Sequence, residues 1–488
     1  MVTKRMIRFF LGLLPILLIY ACGGGGGGSA GSTVGPQSTF STGAISGFGS
    51  VVVNGVHWSD DASVEISLDD DKGTKDSLRV GMVVEVEGSK NADGTGKASK
   101  IRAENIVRGP VESVDAAGGS LVVLGQTVKV SGATVFDNVA DLASIAKGDI
   151  VAVSGWLDNI DPTQPNNIVA RRVEKEPTPF SGVLKVKGFI KSLDSGARTL
   201  KINALVVDFG TAQFPNGSAA GLKNGLFVDV RTHAVPATLG GTLVAETVKV
   251  KEARPAPAEG ARVEVEGIIT DLDLTAKTFK VGGIPVDAKA IDISGFANGM
   301  KVELKGTFVN GVLVVAANAE VEREMDANLK IEALVQATDT TAGTLTLLGQ
   351  KIQVATSTQF IDKANGLHTF GLKDILVGDA VRVRAFDDGK GNIVAAKVMR
   401  LPLPLARVAV QGLLEVKDAA TTSLTILGIK VQGGPNTQWI SKAGKVDATT
   451  WFAATRLAAF VKATGTAGAD GKSVDASAGE VSVGEDDD

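Results

Sequence analysis

Histidine carries most general-base and metal chemistry, and this chain of 488 residues has three: His57, His233 and His368. They fall in different blocks of the repeat described below, so repeat geometry does not bring them together. A metal site wants three or four convergent ligands, and a catalytic triad wants a nucleophile paired with its base; neither pattern accompanies any of the three. Gly43, Gly47 and Gly49 form the densest functional-looking glycine cluster outside the N-terminus. A phosphate loop needs a helix to follow, and here Val51, Val52 and Val53 spell a strand. The acids Asp60, Asp61 and Asp69 to Asp71 lack the alternate-position oxygens and closing Glu of a calcium loop. They read as turn chemistry, with weak calcium binding at residues 60–71 as the alternative. Trp58, Trp156, Trp439 and Trp451 share no repeat position and sit beside no basic groove. They read as packing residues, not as platforms for nucleic-acid bases. The reading is therefore no catalytic residue, no metal and no cofactor.

The elements that hold these residues repeat. Ser120 opens the stretch Ser-Leu-Val-Val-Leu-Gly-Gln-Thr-Val-Lys-Val, which returns from Thr344 as Thr-Leu-Thr-Leu-Leu-Gly-Gln-Lys-Ile-Gln-Val, and again from Ser423. Each copy is a strand, a glycine bend and a second strand. A block of Gly-x-aliphatic precedes it, usually with an acid six residues on, as at Gly109 with Asp115 and Gly188 with Asp194. A third block, Gly-x-x-Val-x-Val-x-Gly, follows it. In residues 81–88 its alternation puts Val84 and Val86 on one face and Glu85 and Glu87 on the other. A fourth block, aliphatic-x-Ala, closes the copy. The third block opens at Gly81, Gly148, Gly225, Gly299, Gly378 and, degraded, Ala458, at spacings of 67, 77, 74, 79 and 80 residues.

Six copies of about five strands each follow, too small for stability unless their edges are closed. The expected fold is all-β: six tandem small barrels of the OB or SH3-like type, with a sandwich as the alternative. Their bounds are residues 41–107, 108–176, 183–252, 261–323, 329–400 and 407–483. A helical turn or two is expected in 138–146 and 363–375. Pro177 and Pro179, Pro255 and Pro257, and Pro402 and Pro404 read as semi-rigid spacers that string the modules out. A content of 5% aromatic residues and 59 glycines suits short strands and turns. The net charge of −4 includes no basic block and argues against nucleic acid as partner.

Residues 1–21 read as an export signal. Lys4, Arg5 and Arg8 precede an apolar run, 9–19, too short to span a bilayer. Ile19-Tyr-Ala-Cys22 resembles the lipobox of bacterial lipoproteins, which implies cleavage before Cys22 and lipid on that residue. Several acyl chains then anchor the protein firmly. Cys22 is the only cysteine, so disulfides are not expected. Residues 22–40, rich in Gly and Ser, read as a flexible tether. By resemblance to Gram-negative sorting, Gly23 in place of Asp implies the outer membrane.

The blocks resemble the domain of unknown function 5666, a bacterial repeat of exported lipoproteins. The matching residues are Ile45 to Val56, the bends at Leu124 to Gln126 and Leu348 to Gln350, and the Gly-Asp starts at Gly148 and Gly378. The likeness is fullest in modules one, two and five. That family implies no catalytic residue. The expected function is a non-catalytic, outer-membrane-anchored lipoprotein whose repeats act as spacer and as binding surface for an envelope protein or glycan. An accessory subunit of a secretion or assembly complex, using β-augmentation, is the second reading. An enzyme is the third, and its signature would be a cleft between modules lined by carboxylates from two copies.

Overall fold

The computed structural model describes residues 37–484, except 49, 60, 62, 92, 254, 256, 318–321, 325–326, 390 and 442–443. The signal segment 1–21, Cys22, most of the tether, Asp60 and the acidic tail 485–488 lie outside the described residues. The described residues pack as one compact unit. Three sheets make it up. Among the described residues, no helix is long and apolar enough to cross a membrane.

The second module shows the plan. Its opening strand Val107–Asp115 pairs with Ser120–Val123, which turns at Leu124 and Gly125 into Gln126–Lys129. That strand lies parallel to the closing strand Ile168–Lys175, which pairs with Ile150–Leu157, and this returns to the opening strand. Five strands thus close into a small barrel. The same cycle of pairings recurs in the first module, the third, the fourth, the fifth and the sixth. In the third the closing strand is interrupted after Val244.

The repeated residues have specific tasks. Gly81, Gly148, Gly225, Gly299 and Gly378 have φ between 84° and 93°, and Ala458 has 59°. In every copy the N–H of this residue donates to a carbonyl of the opening strand: Ile45, Val111, Ile190, Ile269, Val335 and Leu414. The chain must therefore take a left-handed turn there, which glycine does without strain. In modules one and two the glycine ending the third block sits at a bulge, and in module four the equivalent Gly306 is held just as closely. A Cβ on Gly88, Gly155 or Gly306 would lie 2.2 Å from the carbonyl oxygen of Lys97, Val169 or Val314. The acid of the first block caps its turn, as where Asp115 accepts from Gly118 N–H at 2.9 Å.

The modules are not strung out. Modules two and three share a sheet through Val107 and Val186, and modules five and six through Ile331 and Val410. Each of these pairs joins equivalent positions on antiparallel strands, which gives each module pair a local two-fold axis. Each pair also buries one joint core. The opening strands of modules one and four pair in parallel at Thr39–Thr42 and Arg262–Val265. The Pro-x-Pro segments after modules two and five are thus short returns that fold one barrel back onto the next, not spacers. Two smaller readings also change. Residues 37–40, assigned to the tether, are the first rungs of the opening strand Gln37–Gly47, paired with Glu87 to Lys90. Among the described residues the single α-helix, Ala448–Ala454, lies in module six, while 138–146 and 363–375 each hold one 3-10 turn, Leu142–Ser144 and Leu372–Asp374. In the helix, Asp447 caps the Thr450 N–H, and Trp451 and Phe452 turn into the core.

Candidate functional site

One of the tryptophans, Trp156, and two of the acids, Asp69 and Asp70, lie where modules meet. Gly155 forces a bulge in the strand Ile150–Leu157, with the register shifting at Ser154 and Gly155. Trp156 follows the bulge. It packs with Ala44 of module one and Ile268 of module four in a cluster of its own. The Arg171 guanidinium and the Lys301 ammonium each lie 5.8 Å from its ring centroid. Lys301 also reaches Glu266 Oε1 at 2.5 Å, and Ala44 N–H donates to Glu266 Oε2 at 2.6 Å. Burial would raise the Glu266 carboxyl, but Lys301, Arg171 and that N–H outweigh it and hold the group below its ordinary range. Burial pushes the Lys301 ammonium down to about 8. Two cations sharing one carboxylate thus join three modules around one indole.

A second cluster joins modules one, two and three. Lys185, 1% exposed at its side chain, lies 2.7 Å from Asp69 and 3.4 Å from Asp229. Arg108 reaches Asp69 at 3.1 Å, and Asn105 donates to it twice. Burial would raise Asp69; Lys185 and Arg108 bring it instead to about 2. Next along the chain, Asp70 meets Lys251 at 2.8 Å and Arg231 and Lys249 at 3.1 Å each. Asp69 and Asp70 take the left-handed turn expected of them, with φ of 54° and 70°. Their partners, 36 to 181 residues away, gave no local signal.

Between the two clusters lies a cavity of about 350 Å³. Module one supplies Glu85, Arg102 and Glu104, module two Trp156 and Ile160, module three Lys187 and Phe227, and module four Glu266. Residues 252, 253 and 255 of the connection after module three complete it. The carboxylates from two copies named as an enzyme's signature are therefore present. Three of them already have a cation: Glu85 with Arg102 at 3.3 Å, Glu104 with Lys187 and Lys251, Glu266 with Lys301. Among the described residues the cavity lining contains no His, Cys, Ser or Tyr. Such a site can bind and orient, and its fixed ion pairs offer acceptors and donors at little reorganisation cost.

The other candidates stay apart. His57 is exposed beside Ser50, His233 is exposed against Glu246 at 2.8 Å, and His368 stacks on Phe48 at 3.9 Å. No group of three metal-ligating side chains occurs among the described residues. Asp61 turns back onto Ser63. Trp58, Trp439 and Trp451 are buried in barrel cores. Gly47 and Ser46 end the opening strand, whose register shifts at Gly47, and no helix follows.

This architecture defines a repeat protein built on one small strand module. Three segments, residues 42–102, 108–174 and 332–399, match the family model described as Domain of unknown function (DUF5666), so that domain occurs three times in the chain. These are modules one, two and five. No curated protein matches the chain.

Proposed function

We propose that the protein is a non-catalytic lipoprotein, anchored in the outer membrane through Cys22, that binds an envelope glycan or protein in the cavity between modules one to four. In this reading each of the six modules is one small barrel of the OB/SH3-like type, and the modules cooperate as a single binding body. The observation that carries it is the cavity, which four modules build jointly and none can build alone. The charges of Glu85, Glu104 and Glu266 are paired in advance, while Trp156, Phe227 and Ile160 give it apolar walls. Pairing favours holding a ligand over proton transfer, which needs an acid or base with a displaced pKa and a free partner. The closed cycles of strands leave only short edges such as Asp71–Lys72 and Gly444–Val446, which favours cavity binding over strand addition.

The test is binding of purified chain to arrayed envelope glycans and to solubilised envelope proteins, beside an Ile160→Arg variant that fills the cavity. Binding that Ile160→Arg abolishes supports the proposal; equal binding by both overturns it. For the anchor, fatty-acid labelling is expected in the native chain and not in Cys22→Ser.

A further inference from the structure

One position tells four modules from the other two. The residue after the opening glycine or alanine faces out of its barrel and pairs across the ladder with the third-block strand. The pairs are Ala44 with Val83, Pro110 with Ile150, Phe189 with Phe227, Ile268 with Lys301, Leu334 with Ala380 and Leu413 with Phe460. In modules one to four the first member is buried: Ala44 is 5% exposed, Phe189 4% and Ile268 3%, and Pro110 is buried too. In modules five and six Leu334 is 45% and Leu413 46% exposed.

The cover in the first four modules always comes from another module of this chain. Trp156 of module two covers Ala44 and Ile268. In the pair of modules two and three, each barrel reaches over its partner with its last loop. Residues 158–167 bring the Pro162 carbonyl to Lys191 Nζ at 2.8 Å, beside Phe189. Residues 233–242 bring Gly240 against Glu112, beside Pro110. The matching loops of modules five and six, 388–392 and 468–472, are half as long. The second reaches Gln336 through Gly471 and leaves Leu334 open.

The surrounding residues change with it. The two positions before the left-handed turn are Arg79-Val80, Ala146-Lys147, Lys223-Asn224 and Ala297-Asn298 in modules one to four, each with a polar member. In module five they are the aliphatic Leu376 and Val377, 66% and 68% exposed, while module six keeps a polar member, Arg456, beside Leu457, which is 56% exposed. The Gly378 N–H bonds to Val335 and the Ala458 N–H to Leu414, so these residues flank Leu334 and Leu413. Clustered exposed aliphatic residues on a folded protein mark an interaction surface.

We propose that the uncovered faces of modules five and six dock a second copy of this chain. Each covered face of this kind already holds a module of the same chain, so a module is the shape that fits it. The local two-fold axis through Ile331 and Val410 places one leucine patch on each side of itself, which suits the self-complementary surface of a two-fold dimer. The cavity reading does not enter this inference.

The full chain is tested in its membrane. Its one native cysteine, Cys22, makes introduced thiols easy to read. A double variant, Leu334→Cys with Leu413→Cys, is oxidised and its mass compared with native chain treated alike. A disulfide-linked species of twice the chain mass, absent from the native control, is expected. An adduct of another mass assigns the face to a different protein and overturns the proposal, and so does no adduct. As a second measurement, sedimentation of detergent-purified native chain is expected to show a dimer. The Leu376→Asp, Val377→Asp variant, changed only at exposed positions, is expected to weaken it by at least about tenfold, as befits removal of buried apolar area. A native chain that sediments as a monomer overturns the proposal too.

Discussion

Gly81 and Gly299 occupy the same place in two modules, with φ of 84° and 88°, yet alanine is expected to cost very different amounts. A side chain in the left-handed region costs about 1–2 kcal/mol. The stiffer unfolded chain of alanine returns about 0.5–1 kcal/mol. At Gly299 a Cβ would meet nothing within 4 Å, so Gly299→Ala should cost only the difference, about 1 kcal/mol. At Gly81 it would lie 2.8 Å from the Arg171 carbonyl oxygen and 2.9 Å from Val135 Cγ2, both in module two. Backbone cannot yield there without moving module one off module two, which adds about 1–3 kcal/mol. Ala458→Gly runs the other way: at φ 59° the native alanine bears the strain, and module six should gain about 0.5–1 kcal/mol. Urea unfolding followed by tryptophan fluorescence gives the totals, and hydrogen exchange by peptide assigns each change to a module. Equal costs for Gly81→Ala and Gly299→Ala would refute the tight contact between modules one and two. Destabilisation by Ala458→Gly would refute the left-handed turn as the reason for the glycine.

Two further outcomes follow from the charged junctions. Trp156→Ala removes the wall shared by three modules and should cost about 3–5 kcal/mol, with faster exchange at 39–45 and 262–269 than in modules five and six; exchange unchanged there would mean the indole holds nothing together. Asp69 titrates at about 2 when folded, against 3.8 for the free group, so its stabilisation is complete above pH 4 and lost as pH falls toward 2, roughly 2 kcal/mol in all. Acid unfolding of native chain beside Asp69→Asn should show a difference that shrinks across that window, and a gap constant from pH 6 to pH 2 would contradict it.

What the sequence made legible was the strand plan inside a module, not the helix Ala448–Ala454 of module six. The left-handed turn at Gly81 and its five counterparts, the bulge glycines and the acid at Asp115 are local devices, fixed by neighbours a few residues away. The strand alternation at Val84 and Glu85 was readable for the same reason. The partners of Asp69, Glu266 and Trp156 were not, because the energies that join them act between residues brought together only by folding. One signal was available and went unused. Gly43, Gly109 and Gly188 recur at Gly267, Ala333 and Gly412, each displaced by 224 positions, so the modules also repeat as a set of three. Under that displacement modules two and three become modules five and six, the two pairs that share a sheet.

Duplication as a set also bears on where function sits. Copies with identical duties would keep the same outward residues; these keep their inward ones and change the rest. Module two has Trp156 after its bulge glycine, whereas module five has Phe386 after Ala385, in a small cluster with Ala133, Ala327 and Ala396. Module one has Asn54 at the hairpin position where modules two, five and six have leucine, and its amide donates to Thr42 and to the Glu264 carbonyl of module four, both at 3.1 Å. Loops that cover the pair of modules two and three are shortened in modules five and six. Every one of these changes alters what lies between barrels and leaves the barrel itself intact. On the proposed reading, a ligand held in the cavity between modules one to four meets these junctions, and a single module cut from the chain would lose that cavity.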